Sequence, residues 1–276
     1  LHYTFQSIII VTLNKQHFFP MYNKFKFLIA IVISAILLLS CKHVSTIQKT
    51  DTNVYTLDSA SAKTDDTSFL RIIKPYKENM AAEMNAVLAY TDEAMIKDKP
   101  EGLLNNFVSD LIFIKAKEYY KPDDGKQIDF CILNSGGLRT AFPKGAITRS
   151  KIFELMPFDN KVVVVTLTPE KTLQLFNYIA KAGGIPVSGL SMGIKDTSAV
   201  NVLIDGKKFD NTRSYKIATS DYLANGGDKM YFFSKPVNLE DLDIKIRDAI
   251  ISYVTEENKK GNKLHSKLDK RIYYEK

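Results

Sequence analysis

Two near-continuous apolar runs, Ile128–Leu133 and Val162–Leu167, constrain the fold of this sequence more than any other feature. Side chains along a strand point alternately to opposite faces, so strands of this kind are buried on both sides. A sheet built on them needs a packed layer over each face. Around these runs the apolar spacing is helical. Leu70, Ile73, Tyr76, Met80 and Met84 predict a helix over Phe69–Met84 despite Pro75, and Leu103–Tyr119 repeats the pattern. Thr168 as cap and Pro169 at the first position start a helix that runs to about Ala180 and ends at Ala182-Gly-Gly184.

Shorter elements fill the gaps. Ala86–Tyr90 has the composition of a short strand, and Lys121–Gly125 is a turn. Ile147–Met156 is expected to be a short helix capped by Thr148 or Ser150. Strands are predicted near Ala199–Ile204 and Ser214–Thr219, with Asp205-Gly206 as a hairpin turn. Ile244–Glu257 reads as a closing helix followed by a frayed basic tail. Helices and strands alternate irregularly and nothing repeats, so the expectation is one α/β or α+β domain. With 276 residues, 45% of them hydrophobic, the chain can bury a substantial core.

Histidine and cysteine usage excludes several chemistries. The four histidines are His2, His17, His43 and His265, so none falls within the expected core. That leaves no basis for a Cys/His zinc site, a Ser-His-Asp triad or a His-rich dimetal centre. Counting alone allows a Cys41–Cys131 disulfide, but Cys131 lies in an apolar run, where a thiol is usually a small buried hydrophobe. The net charge of +7 overstates any affinity for anions. The first 40 residues hold Lys15, Lys24 and Lys26 and no acid, which leaves +4 for the rest, spread without a basic block. No nucleic-acid partner is expected from this pattern.

The amino end reads as a targeting segment. Lys24 and Lys26 precede an uncharged stretch from Phe27 to Ser40, whose apolar part is too short for a membrane span but right for a signal peptide. Leu38-Leu39-Ser40-Cys41 resembles the lipobox of bacterial lipoproteins, with Cys41 as the lipidated first residue. Residues 1–40 are thus taken as an over-extended start plus signal peptide, 41–54 as a polar tether and 55–276 as the folded domain. The expected location is a lipid-anchored domain outside the cytoplasm, on the periplasmic side.

Three segments have the composition of a binding site. Asn134-Ser-Gly-Gly-Leu-Arg139 follows a buried strand; paired glycines allow close backbone approach and Arg can grip a phosphate, although alone this is an ordinary strand-end turn. In Leu155-Met-Pro-Phe-Asp-Asn160, Phe158 taken in isolation is better read as core. Thr219-Ser-Asp-Tyr-Leu-Ala-Asn-Gly-Gly-Asp228 offers Tyr222 as a stacking ring and Asp228 as an acceptor for ribose hydroxyls, against a plain Asn-Gly turn. In this order, with Gly145-Ala-Ile-Thr148 between the first two and Lys99-Pro-Glu-Gly-Leu-Leu-Asn-Asn106 upstream, they resemble the C-terminal, substrate-recognising domain of the 5′-nucleotidase family.

The resemblance covers roughly residues 55–256 and implies a mixed sheet with flanking helices. It implies that Phe158 and Tyr222 clamp a nucleobase, Asn134 touches the base, Arg139 faces the phosphate and Asp228 binds the ribose. Two positions depart from the family pattern: Lys99 and Pro100 stand where an Arg is usual, and Asn105 where Gly is common. The family hydrolyses phosphate esters with two divalent metals held by a separate N-terminal domain, so no metal and no catalytic residue are expected in this chain. One reading is half of a split nucleotidase whose metals come from a separate metallophosphoesterase chain. A second is a stand-alone nucleotide-binding lipoprotein, and a third places a new hydrolytic site on Asp221 or Asp228.

Overall fold

The computed structural model describes residues 25–33, 49–54 and 67–276, which fall into two units, Leu1–Asp65 and Asp66–Lys276. In the first unit residues 25–33 are helical and 49–54 are exposed without regular structure. Cys41 and its lipobox lie outside the described residues. No helix among the described residues is long and apolar enough to cross a membrane.

In the second unit the chain begins with α1 (Thr67–Met84), β1 (Val87–Thr91) and α2 (Leu103–Tyr119). Next come β2 (Phe130–Ile132), β3 (Gly145–Thr148), α3 (Arg149–Leu155), β4 (Lys161–Leu167) and α4 (Pro169–Lys181). Four strands follow: β5 (Val187–Ser188), β6 (Leu190–Lys195), β7 (Ser198–Ile204) and β8 (Lys207–Lys208). The remainder is β9 (Tyr215–Ser220), α5 (Asp221–Ala224), β10 (Asn238–Lys245), α6 (Ile246–Lys259) and β11 (Ile272–Tyr274). A mixed five-stranded sheet runs in the order β10-β4-β9-β2-β5, and only β2 and β9 pair in parallel. A four-stranded sheet, β11-β6-β7-β8, and the β1–β3 pair complete the unit.

The apolar strands are covered on both faces, as their composition requires. Val162, Val164, Cys131 and Ala218 face a cluster built on α2 and α6, with Leu104, Val108, Leu111, Ala249 and Ile250. Val163, Val165, Leu167, Phe130, Ile132 and Ile217 face the opposite cluster, with Leu175, Phe176 and Ile179 of α4 and Met192 and Ile272 of the second sheet. Burial pushes the Cys131 thiol well above its ordinary range, so it behaves as a core residue.

Local signals explain where elements stop. The Thr168 hydroxyl accepts from the Lys171 amide and Pro169 opens α4. At its far end a Cβ on Gly184 would lie 2.1 Å from the Pro100 carbonyl oxygen, so only glycine fits there. Asp205 and Gly206, both at positive φ, turn β7 into β8.

Several expectations need correction. The helix expected over Ile147–Met156 spans only Arg149–Leu155, because Ile147 belongs to β3; Thr148 ends that strand and, as one of the two expected caps, caps α3 by accepting from the Lys151 amide. The closing helix begins at Ile246, because Asn238–Lys245 pairs with β4 as an edge strand. Its alternation is polar on most positions, which hides it from a hydrophobic reading. β5 and β6 were not expected either. Nor is the tail frayed: Ile272–Tyr274 pairs in parallel with β6.

Arg271 holds that tail in place. Its largely buried guanidinium donates to both Asp110 carboxylate oxygens (2.6 and 3.0 Å), to Asp269 (2.8 Å) and to the Val187 carbonyl (2.9 Å). Arg271→Met leaves those acceptors without their donor and is expected to cost about 3 kcal/mol, the low end for breaking a buried pair because Asp110 stays within reach of water. The hydrogen bond and charge of Arg271 hold the Asp269 carboxyl below its ordinary value. A depressed carboxyl pKa contributes stability above the unfolded value, about 3.9, and loses it as pH falls through the folded one. Melting curves between about pH 6 and pH 3 should therefore show a falling midpoint in the wild type. Arg271→Met should start lower and fall less steeply. A variant that melts with the wild type at neutral pH would show that the tail is held by β11 pairing alone.

Candidate functional site

Strand direction alone brings three loops together. β2 and β9 run in parallel, so their carboxyl ends share one edge of the sheet, and β4, antiparallel to β9, begins at that edge. The loops after β2, before β4 and after β9 carry residues 134–139, 156–160 and 221–228. Ligands of α/β sheets commonly sit beyond strand carboxyl ends. Here a pocket of about 270 Å³ lies there, lined by Asn134, Gly136, Gly137, Arg139, Phe158, Asn160, Tyr222 and Asp228. All five residues expected from the sequence line this one pocket.

The first loop is a tight turn, Ser135–Gly137. Lys97 fastens it from outside, its ammonium donating to the carbonyls of Ser135 (3.2 Å) and Leu138 (2.8 Å). A Cβ on Gly137 would sit 2.9 Å from Asn134 Oδ1, so the glycine keeps room for the Asn134 amide. The Arg139 backbone amide donates to the Leu155 carbonyl, tying this loop to the next. Its guanidinium makes only a 3.4 Å contact with the Gly136 carbonyl and remains available to an anion.

The second loop presents Phe158, whose ring is 40% exposed, not part of the core that its local sequence favours. The anchor is Arg247 of α6. Its buried guanidinium donates to the carbonyls of Met156 (3.2 Å) and Phe158 (3.3 Å), pairs with Asp159 and lies 4.3 Å from the Phe153 ring centre. Lys245 also donates to Asp159 (3.0 Å), and together the two cations hold that carboxyl below its ordinary range. The Asn160 carbonyl accepts from the Ile246 amide, while its side-chain amide lines the pocket with no hydrogen-bond partner among the described residues.

The third loop starts at Ser220, whose hydroxyl accepts from the Leu223 amide and caps α5. Tyr222, 44% exposed, turns its ring over Gly227, where a Cβ would lie 2.5 Å from the ring carbons. The Tyr222 hydroxyl donates to Asp228 Oδ1 (2.9 Å) and the Asn134 amide donates to Asp228 Oδ2 (2.6 Å). Two half-exposed rings thus stand beside one carboxylate, one guanidinium and two amides. The arrangement can stack a flat heterocycle and hydrogen-bond hydroxyls on one side and an anion on another.

The helix-opening segment does not line this pocket. The Lys99 ammonium donates to the Ala182 carbonyl at the end of α4, and the buried Asn105 donates to the Asp98 carbonyl. Asp110 is taken up by Arg271. Sequence reading quoted Asn160 within a motif without assigning it a role, and it missed Lys97, Tyr178 and Arg247. Those three come from other elements and carry no local signal. Among the described residues no group of three or more His, Cys, Asp or Glu side chains could hold a metal ion, so the donor set does not fit a dimetal centre.

Comparison with known proteins identifies the family and the fold. The family model for the 5′-nucleotidase C-terminal domain matches residues 83–235. The 5′-nucleotidase of Vibrio vulnificus is 26% identical over 170 residues, covering 59% of this chain and 30% of that protein. The trifunctional nucleotide phosphoesterase protein YfkN of Bacillus subtilis is 29% identical over 225 residues, 71% of this chain and 14% of its own length. The chain therefore spans under a third of these relatives. Among solved structures, the 5′-nucleotidase precursor of Thermus thermophilus superposes with a TM-score of 0.62 at 23% identity, covering 78% of this chain and 44% of that one. The NAD nucleotidase of Haemophilus influenzae gives 0.57 at 15%, over 76% and 41% of the two chains. These two likenesses concern the fold. The family match spans more than half of the sequence and includes all three pocket loops: this chain belongs to the 5′-nucleotidase C-terminal domain family.

Proposed function

We propose that this chain is the nucleotide-recognition half of a 5′-nucleotidase-type phosphohydrolase, and that a separate metallophosphoesterase chain supplies the metals. The observation that carries the reading is the pocket at the sheet edge, where Phe158 and Tyr222 are both half exposed beside Asp228, Asn134 and Arg139. Exposure alone marks no site, since other rings are equally exposed; what favours stacking is that these two line one pocket together with polar groups suited to a nucleotide. In this reading the two rings grip the nucleobase, Asn134 reads its edge, Asp228 accepts from the ribose and Arg139 faces the phosphate. Matches to nucleotide-hydrolysing relatives that continue well beyond the shared segment support a recognition role. Hydrolysis by metal-activated water needs converging N and O ligands, which this pocket does not offer.

Replacing Phe158 or Tyr222 with Ala should weaken binding of a nucleoside monophosphate about tenfold or more, since base–aromatic stacking contributes about 1–3 kcal/mol per base. The melting midpoint should barely move, because a half-exposed ring contributes far less than the roughly 3–5 kcal/mol lost when a fully packed Phe is truncated. Titration calorimetry beside a melting curve measures both. A variant that melts many degrees lower, or one that binds normally, would take that ring out of the clamp.

The purified chain supplied with Mn²⁺ or Zn²⁺ should show no hydrolysis of 5′-nucleotides, and activity should appear when the partner metallophosphoesterase is added. Turnover by the chain alone that disappears in Asp228→Ala would defeat the division of labour. No activity with any partner, together with intact nucleotide binding, would favour a capture or sensing role instead.

We also propose that lipid on Cys41 anchors the domain to a bacterial membrane on its non-cytoplasmic side, with residues 41–54 as the tether. The support is the order of basic residues, apolar stretch and Leu-Leu-Ser-Cys. Acyl labelling of the expressed protein should vanish in Cys41→Ser. Labelling unchanged in that variant would place the lipid elsewhere or remove it.

A further inference from the structure

Asp228 is held more elaborately than its position on an open ledge requires. It sits at φ +52°, a left-handed conformation uncommon for non-glycine residues although more accessible to Asp than to most. Four hydrogen bonds hold the residue in that orientation. Its amide donates to the Tyr222 hydroxyl oxygen (3.3 Å) and its carbonyl accepts from the Tyr178 hydroxyl (2.9 Å). Its carboxylate accepts from the Tyr222 hydroxyl on Oδ1 (2.9 Å) and from the Asn134 amide on Oδ2 (2.6 Å). The hydroxyl of Tyr222 thus bonds both ends of the residue, and burial with the adjoining Asp228 charge holds the Tyr178 phenol protonated as a donor.

All of these side-chain partners are neutral donors, and no ion pair among the described residues occupies the carboxylate. An ionised carboxylate has about four acceptor positions, and one donor on each oxygen leaves one open position on each. Two open positions on neighbouring oxygens match two donors on neighbouring carbons, which is the arrangement of a cis-diol. A phenylalanine at 222 would provide the same ring face without the hydroxyl, so the hydroxyl serves something other than stacking.

We propose that the Tyr222 hydroxyl is a positioning group that makes this pocket selective for ribonucleotides over 2′-deoxyribonucleotides, by fixing the Asp228 carboxylate as a two-point acceptor for the ribose diol. The inference rests on the nucleotide-binding reading above, in which Asp228 already meets the ribose, and adds the group that positions that carboxylate. One side chain then carries two functions: its ring sets where the base lies and its hydroxyl sets where the sugar acceptor lies.

The test is titration calorimetry of the full chain with AMP and with 2′-deoxy-AMP, in the wild type, Tyr222→Phe, Tyr178→Phe and Asp228→Asn. The wild type should prefer AMP by about tenfold, the scale of one hydrogen bond to a charged acceptor. Tyr222→Phe should reduce that preference to within about twofold, with AMP affinity falling several times more than that of deoxy-AMP, which keeps one hydroxyl on the same carboxylate. Tyr178→Phe should have a smaller effect in the same direction, and Asp228→Asn should abolish the preference. A merely structural role would lower both affinities by the same factor and leave the preference intact, and that result would overturn the proposal. So would full preference in Tyr222→Phe with its loss in Asp228→Asn, because the acceptor would then need no positioning. Equal binding of both ligands by the wild type would remove the sugar selectivity and leave nucleotide binding standing. A wild type that binds neither, alone or with the partner chain, would remove the nucleotide reading itself.

Discussion

Strand β9 lies between a parallel neighbour, β2, and an antiparallel one, β4, and the pocket follows from that arrangement. Were β2 antiparallel as well, the Asn134 loop would leave at the opposite edge, well away from Tyr222. The pairing is secured by burial on both faces: Ala218 and Ile217 of β9 face different clusters, as do Cys131 and Ile132 of β2 and Val164 and Val165 of β4. A slip of one residue would exchange the two clusters, so the apolar strands fix register as well as position. Because the strands cannot shift, the loops at their ends meet in one relative placement.

This hierarchy decides what was legible in the sequence. Elements whose signal is local were readable: the Thr168–Pro169 start, the Ala182-Gly-Gly184 stop, the Asp205-Gly206 turn and the apolar strands. Elements whose signal is a partner were not. β10 is polar at most positions and exists because β4 offers an unpaired edge, and β11 exists because β6 and Arg271 receive it. The pocket divides in the same way. The residues that line the pocket stand in short motifs and could be named, whereas those that hold them, Arg247, Lys97 and Tyr178, come from distant segments. Phe158 shows the limit most clearly, because its local sequence favours burial. Only the Arg247 guanidinium, gripping the carbonyls on either side of Pro157, accounts for the ring standing out.

The charges in and around the pocket are divided between support and lining. The second loop is held by Arg247, which grips its backbone carbonyls and, with Lys245, pairs with Asp159. The groups facing the pocket are rings, amides, one carboxylate held by neutral donors and one lightly engaged guanidinium. Rigid support with uncommitted polar groups lets binding proceed without first breaking an ion pair.

The docking of β11 has a consequence for how the chain acquires its structure. Arg271 meets Val187 and Asp110 across sequence separations of 84 and 161 residues, and Ile272 fills the cluster that Leu175, Phe176 and Met192 line. Contacts of such range form late, because a long loop must close before they yield anything. Until residues 271–274 arrive, the second sheet lacks an edge and the cluster beneath it stays open to solvent. A chain stalled at that stage would expose an unpaired β6 edge beside apolar side chains, a combination prone to association with other chains. Fast docking of the few residues around Arg271 would shorten the time that edge stays open, although none of them lines the pocket.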